Sequence, residues 1–171
     1  ALNFTLNGWG GKYDASNDNK INQHLVQHCK LKEVENVDFV LEGGGLDIDD
    51  EGHLLTTEAC LLNKKRNKHV SKEQVETKLT TLLGVKKFLW LQSGRLIGDD
   101  TDSHVDTLAR FAPNQTIIYQ GCQDENDPQY GPLIEMKREL EEFTTKDKLP
   151  FILFELPLPA PQFNKKGDRL P

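Results

Sequence analysis

Phe39 to Asn63 reads FVLEGGGLDIDDEGHLLTTEACLLN. Val37 to Glu42 has the β-branched and aromatic content of a strand, and Gly43-Gly44-Gly45 closes it. An extended segment follows, then the polar turn Asp49-Asp50-Glu51-Gly52 and a returning strand, which together predict a β-hairpin. Downstream, Ser71 and Gln74 form a capping box, and Val75, Leu79, Leu82 and Leu83 supply the apolar face of a helix that stops at Gly84. VKKFLWLQ is the next strand. The same grammar then recurs: His104 to Phe111 and Thr116 to Gln120 stand for the hairpin, Pro132 to Phe143 for a helix with proline near its start, and PFILFELPLP for a buried strand. Leu54 to Ile117 is 63 residues, Trp90 to Phe154 is 64 and Glu42 to His104 is 62. A near-constant period of this kind marks tandem supersecondary units. The reading is therefore an α/β fold of repeated ββαβ units, with spans of approximately 37–92 and 98–159. Before them, Ile21 to Lys32 spaces Ile21, Leu25, Val26 and Cys29 as a short amphipathic helix. Glu42 and His104 hold equivalent places in successive units, so units arranged around an axis would aim both side chains at one centre.

Composition bounds the ligand. At 171 residues and 36% hydrophobic content the chain suits one domain with its own core. The net charge of -6, with Lys and Arg dispersed, argues against nucleic acid and against an anionic membrane surface as partners and favours a cationic ligand. Cys29, Cys60 and Cys122 are widely spaced and odd in number, which suits reduced thiols in a cytosolic protein. No apolar run approaches membrane-spanning length. The opening ALNFTLNGWGGKY, without an initiator Met and already alternating apolar with polar, is expected to be mid-domain sequence from a longer chain.

Three motifs carry possible chemistry. Asp47 to Glu58, DIDDEGHLLTTE, fits a calcium-loop pattern, with acids at the first, third and fifth positions, Gly52 at the sixth and Glu58 at the twelfth. A calcium hand needs a leading helix, however, and the preceding residues are β-branched or glycine. The Glu42-Gly43-Gly44-Gly45 run either ends a strand or lets backbone and ligand approach closely beside a carboxylate. In Asp99 to Asp106, DDTDSHVD, three readings stand open. One is a solvated acidic loop. Another is a metal site using Asp100, Asp102, His104 and Asp106. The last is a site for a planar cation that wants several carboxylates and an acid-base group. Strand alternation would place His104 and Asp106 on one face.

FVLEGGGLDIDDEGHLLTTEACLLNKKRN and LIGDDTDSHVDTLARF, flanked by FTLNGWGGKY and GDRLP, resemble the agmatine deiminase family, relatives of the bacterial peptidylarginine deiminases. The resemblance covers essentially the whole chain. It implies a pseudo-fivefold α/β propeller, the pentein fold, of which this chain would supply about two and a half units. It also implies hydrolysis of agmatine to N-carbamoylputrescine and ammonia through a covalent cysteine intermediate, a step of putrescine and polyamine biosynthesis. Peptidylarginine or another guanidine is the alternative substrate, and a calcium-binding module at 47–58 the alternative of another class. By resemblance His104 is the general acid-base, Asp106 holds the guanidinium nitrogens, Glu42 sits beside both, and Asp100 matches a substrate-contacting aspartate. Ser103 stands where the family usually has glycine. The family's nucleophilic cysteine motif and its RDxGP aspartate motif have no counterpart here, so this chain alone is expected to be inactive. No metal or organic cofactor is implied; the parent is expected to be a cytoplasmic homodimer.

Overall fold

The computed structural model describes residues 1–30 and 34–170. Among these described residues, eight strands form three small sheets. β1 (Leu2–Thr5) pairs in parallel with β2 (Glu35–Val40), with helix α1 (Asp18–His28) between them in sequence. β3 (Leu46–Ile48), β4 (His53–Thr57) and β5 (Lys87–Leu91) form the central sheet, with α2 (Lys72–Leu83) connecting its last two strands. β6 (Ala109–Ala112), β7 (Thr116–Gln120) and β8 (Ile152–Leu156) repeat the arrangement with α3 (Tyr130–Glu142). In both three-stranded sheets the first pair is antiparallel and the second parallel. A tight turn can join only the antiparallel pair, which is why a helix intervenes before the third strand each time.

The local chemistry matches the reading at several points. Asp49 closes the first hairpin by accepting the Glu51 and His53 amides at 3.0 and 2.7 Å, while Gly52 takes a φ of 88°. The Ser71–Gln74 capping box opens α2 and Gly84 ends it in the left-handed region. α3 begins at Tyr130, ahead of Pro132, so the proline falls in the first turn, where its missing N–H has no intrahelical acceptor to lose. The helix expected over 21–32 spans Asp18–His28, and residues 31 and 32 of that expectation lie outside the described residues.

Other expectations are corrected by pairing. The strand expected at Val37 to Glu42 hydrogen-bonds to β1, so it closes the preceding sheet, and the repeating four-element sheets run 46–91 and 109–156. His104 and Asp106 are not on a strand. They belong to a 3-10 turn, Val105–Thr107 with His104 at its N-cap, and β6 starts only at Ala109. Asp47 to Glu58 does not close as a calcium hand: Asp47 lies on β3, accepts the Phe111 amide at 2.7 Å and pairs with Arg110, while Glu58 pairs with Lys72.

Register also revises one equivalence. Thr56 faces Trp90 and Tyr119 faces Glu155, so the counterpart of Trp90 is Glu155 rather than Phe154. A shift of one residue moves a strand's side chains to the opposite face. The central sheet is covered on both faces: Leu54 and Trp90 join one core with Val37, Phe39 and Val75, and Leu55, Leu89 and Leu91 join a second with Ile117, Leu133 and Met136. The matching face of β8, Ile152, Phe154 and Leu156, is 61%, 58% and 44% exposed. Among the described residues no helix is long and apolar enough to cross a membrane.

Candidate active site

Two equivalent 3-10 turns build the site. Gly43–Gly45 leads into β3 and Val105–Thr107 leads toward β6, and the residues at their N-caps are Glu42 and His104. The repeat thus carries a carboxylate and an imidazole to the same end of neighbouring sheets. They meet directly: His104 Nε2 lies 3.0 Å from Glu42 Oε2, and both residues are buried.

A buried guanidinium completes the contact. Arg66 follows a single helical turn, Glu58–Leu61, that Thr57 caps by accepting the Cys60 amide. Arg66 Nε donates to Glu42 Oε2 at 2.7 Å, Nη2 forms an ion pair with the same oxygen at 2.7 Å, and Nη2 donates to the Thr101 carbonyl at 2.6 Å. Nη2 stands 3.4 Å from His104 Nε2 as well. On the other carboxylate oxygen, Glu42 Oε1 accepts the Trp9 amide at 2.8 Å. Burial alone would raise the Glu42 carboxyl, but hydrogen bonds from His104, Arg66 and the Trp9 amide outweigh it and hold the group below its ordinary range.

Trp9 reaches this position through strained backbone. It has a φ of 57° inside a run of left-handed residues from Gly8 to Gly11, a conformation in which a bulky side chain is an outlier. Asn7 holds the run by accepting the Gly10 amide at 2.9 Å and donating to the Lys65 carbonyl at 2.9 Å. The Trp9 ring stands edge-on to His104, centroids 6.5 Å apart.

Asp106 contrasts with Glu42. It is exposed and its carboxylate has no partner among the described residues. A Cβ added to Gly44 would lie 2.6 Å from His104 Nδ1 and 2.7 Å from Asp106 Oδ2, so Gly44 is the floor between them. His104 therefore turns Nε2 to Glu42 and Arg66, and Nδ1 to Gly44 and the Asp106 side. A cavity of about 750 Å³ opens here, with Trp9, Asp18, Glu42, Gly44, His104 and Asp106 among its walls.

The remaining acids of the Asp99–Asp106 run do other work. Asp100 is at the surface, taking the Tyr13 hydroxyl and Lys12 Nζ; the Tyr13 hydrogen bond holds its carboxyl below the ordinary range. Asp102 pairs with Lys12 at 2.7 Å. Asp99 accepts the amides of Thr101 and Ser103 at 2.9 and 2.8 Å. Ser103 itself has a φ of 63°, a conformation that glycine adopts without penalty. The four-ligand metal reading does not converge, because Asp100 and Asp102 turn to Lys12 while His104 turns to Glu42 and Arg66. Glu42, Cys60 and His104 do bring ligand atoms within 4.8 Å of one another, but the Arg66 cation already sits on the shared carboxylate.

Cys60 is buried, and burial pushes its thiol up to about 12, with Arg66 opposing and Glu42 reinforcing the rise. A thiolate is the reactive form, so Cys60 stays inert near neutral pH. At pH 8 a water-soluble disulfide reagent is expected to modify exposed Cys29 rapidly and buried Cys60 and Cys122 only after denaturant is added. Rapid titration of all three thiols in the folded chain would contradict this placement.

Sequence reasoning missed Arg66 and Trp9. Arg66 sits in an unremarkable basic stretch, NKKRN, and nothing in its spacing separates it from its solvated neighbours. The Gly8–Gly11 run around Trp9 did carry a signal, since consecutive glycines ask for left-handed backbone.

The sequence profile of the Porphyromonas-type peptidyl-arginine deiminase family matches residues 1–171. An agmatine deiminase of Medicago truncatula is 36% identical over 167 residues, covering 95% of this chain and 44% of that protein. A C. jejuni C315S agmatine deiminase, solved with substrate bound, superposes with a TM-score of 0.89 at 45% identity, covering 99% of this chain and 49% of the other. The agmatine deiminase of Enterococcus faecalis gives 0.87 at 30% identity, covering 99% and 48%. The chain thus spans about half the length of the relatives it matches.

Proposed function

The chain belongs to the Porphyromonas-type peptidyl-arginine deiminase family, and from that premise we propose that it forms the acid-base half of a guanidine deiminase that hydrolyses agmatine. The observation that carries this reading is the buried Glu42–His104 hydrogen bond beside an unpartnered Asp106 on one cavity wall. Asp106 offers two free oxygens to the nitrogens of a planar cation, the geometry that a carboxylate and a guanidinium share. Glu42 already accepts from Arg66 and Trp9 and contacts His104, so its first task is to orient the imidazole.

In the proposed cycle a cysteine thiolate from the remainder of the protein attacks the guanidinium carbon, and the C=N bond's electron pair moves to nitrogen. Asp106 holds the cation in place during attack. His104 gives a proton to the departing nitrogen, the C–N bond breaks, and ammonia leaves a sulfur-bound amidino carbon. His104 then takes a proton from water, whose oxygen adds to that carbon. Collapse of the adduct forms the C=O bond, expels the thiolate and releases the hydroxyl proton to solvent, which yields the carbamoyl product. The remainder of the protein is also the proposed cover for the apolar face of β8, whose counterpart on β5 is packed by the following unit.

Ammonia release from agmatine and from arginine by the full-length protein containing this chain tests the reading. His104→Asn is expected to lower turnover about 100- to 10,000-fold. Activity within about twofold of the parent would remove His104 from the mechanism.

A further inference from the structure

The charges of the cavity do not balance. Its walls carry three carboxylates, Asp18, Glu42 and Asp106, and no Lys or Arg. Glu42 is neutralised from behind by Arg66. Lys12, on the neighbouring turn, is engaged with Asp100 and Asp102. Asp18, like Asp106, has no hydrogen-bond or ion-pair partner among the described residues. Two open carboxylates therefore face one cavity, and they come from separate elements: Asp106 from the 3-10 turn at His104, Asp18 from the start of α1. Leu6, Trp9 and Ala15 add apolar surface to the same cavity.

We propose that Asp18 is the specificity residue that holds the distal ammonium of a dication whose guanidinium is bound at Asp106 and His104. The proposal rests on the deiminase reading and deepens it by assigning the far end of the substrate. A cavity with two uncompensated negative charges from separate elements and apolar lining complements a molecule with a cation at each end of a short methylene chain. It discriminates against arginine, whose α-carboxylate would meet Asp18 with like charge, and against a peptidyl arginine, which has no ammonium beside its side chain. Asp18 is also the first residue of α1, where an acid is favourable to the helix dipole. That role acts on α1 alone and makes no distinction between substrates.

The deciding experiment uses the full-length protein with agmatine and with n-butylguanidine, which keeps the guanidinium and the chain length and lacks the ammonium. Asp18→Asn is expected to raise KM for agmatine about two- to fivefold, the range of an exposed ion pair, with kcat retained and butylguanidine kinetics unchanged within error. Asp18→Glu is expected to recover most of the agmatine preference. Equal losses on both substrates, or no change on either, overturns the assignment. Calorimetric binding of the same two ligands gives a second readout that does not need turnover. If the parent releases ammonia from neither compound the deiminase reading falls, while the Asp18 comparison is still decided by whether Asp18→Asn weakens agmatine binding selectively.

Discussion

Arg66→Met is expected to destabilise the folded chain by about 3–5 kcal/mol, the range seen when one partner of a buried ion pair is removed. The side chain is 1% exposed, ion-pairs with Glu42 and donates one hydrogen bond to Glu42 and one to the Thr101 carbonyl. Methionine fills much of the same volume but leaves Glu42 buried with its charge opposed only by His104 and a backbone amide. Arg66→Lys restores the charge without the planar fork and is expected to recover only part of the loss. Denaturant unfolding at pH 7 measures both, and a loss below about 1 kcal/mol for the methionine variant would show that Glu42 finds another partner. The pH dependence carries its own sign. Because the folded Glu42 carboxyl is held low, the stability it contributes is present above the ordinary value of 4.5 and is lost as pH falls through the depressed one. Removing Arg66 takes away part of what depresses it, so the acid unfolding of the variant is expected to begin at higher pH.

Gly44→Ala is expected to lower deiminase turnover of the full-length protein by about 100-fold or more, because a methyl placed 2.6 Å from His104 Nδ1 and 2.7 Å from Asp106 Oδ2 forces both groups aside. The exposed Asp106 carboxylate can swing away only by leaving its place in the site, and the His104 contact cannot be relieved this way, since His104 is anchored at Nε2 by Glu42. Gly43→Ala is the control. A Cβ there meets nothing within 4 Å, and its backbone is not left-handed, so activity close to the parent's is expected. Ammonia release by the two variants side by side measures this, and equal activity would mean that the glycine run serves only to end the strand.

The contrast between these two glycines marks how far the site was legible. The EGGG run was recognisable as a close-approach segment, and the 62-residue interval correctly put Glu42 opposite His104. The position of the critical glycine was not recognisable, because it depends on which Cα faces the neighbouring turn. Asp100 and Asp106 differ in the same way. Both are aspartates within one acidic run, yet Tyr13 and Lys12 engage the first and leave the second open.

The chain's own residues determine its repeated grammar: two hairpin-helix-strand passages, a capping box at Ser71, a helix stop at Gly84, and a net negative charge suited to a cation. These follow from local forces, side-chain periodicity and backbone preference, which act over a few residues and can be read in order. Tertiary structure decided the rest. Strand pairing with β1 assigned Val37 to the preceding sheet, and pairing register placed Glu155 opposite Tyr119 and left Phe154 facing outward. Arg66 and Trp9 became parts of the site only when chain segments 24 and 33 residues away met Glu42. Contacts of that kind fall outside the repeat and depend on where separate elements come to rest, which the period of the repeat does not encode.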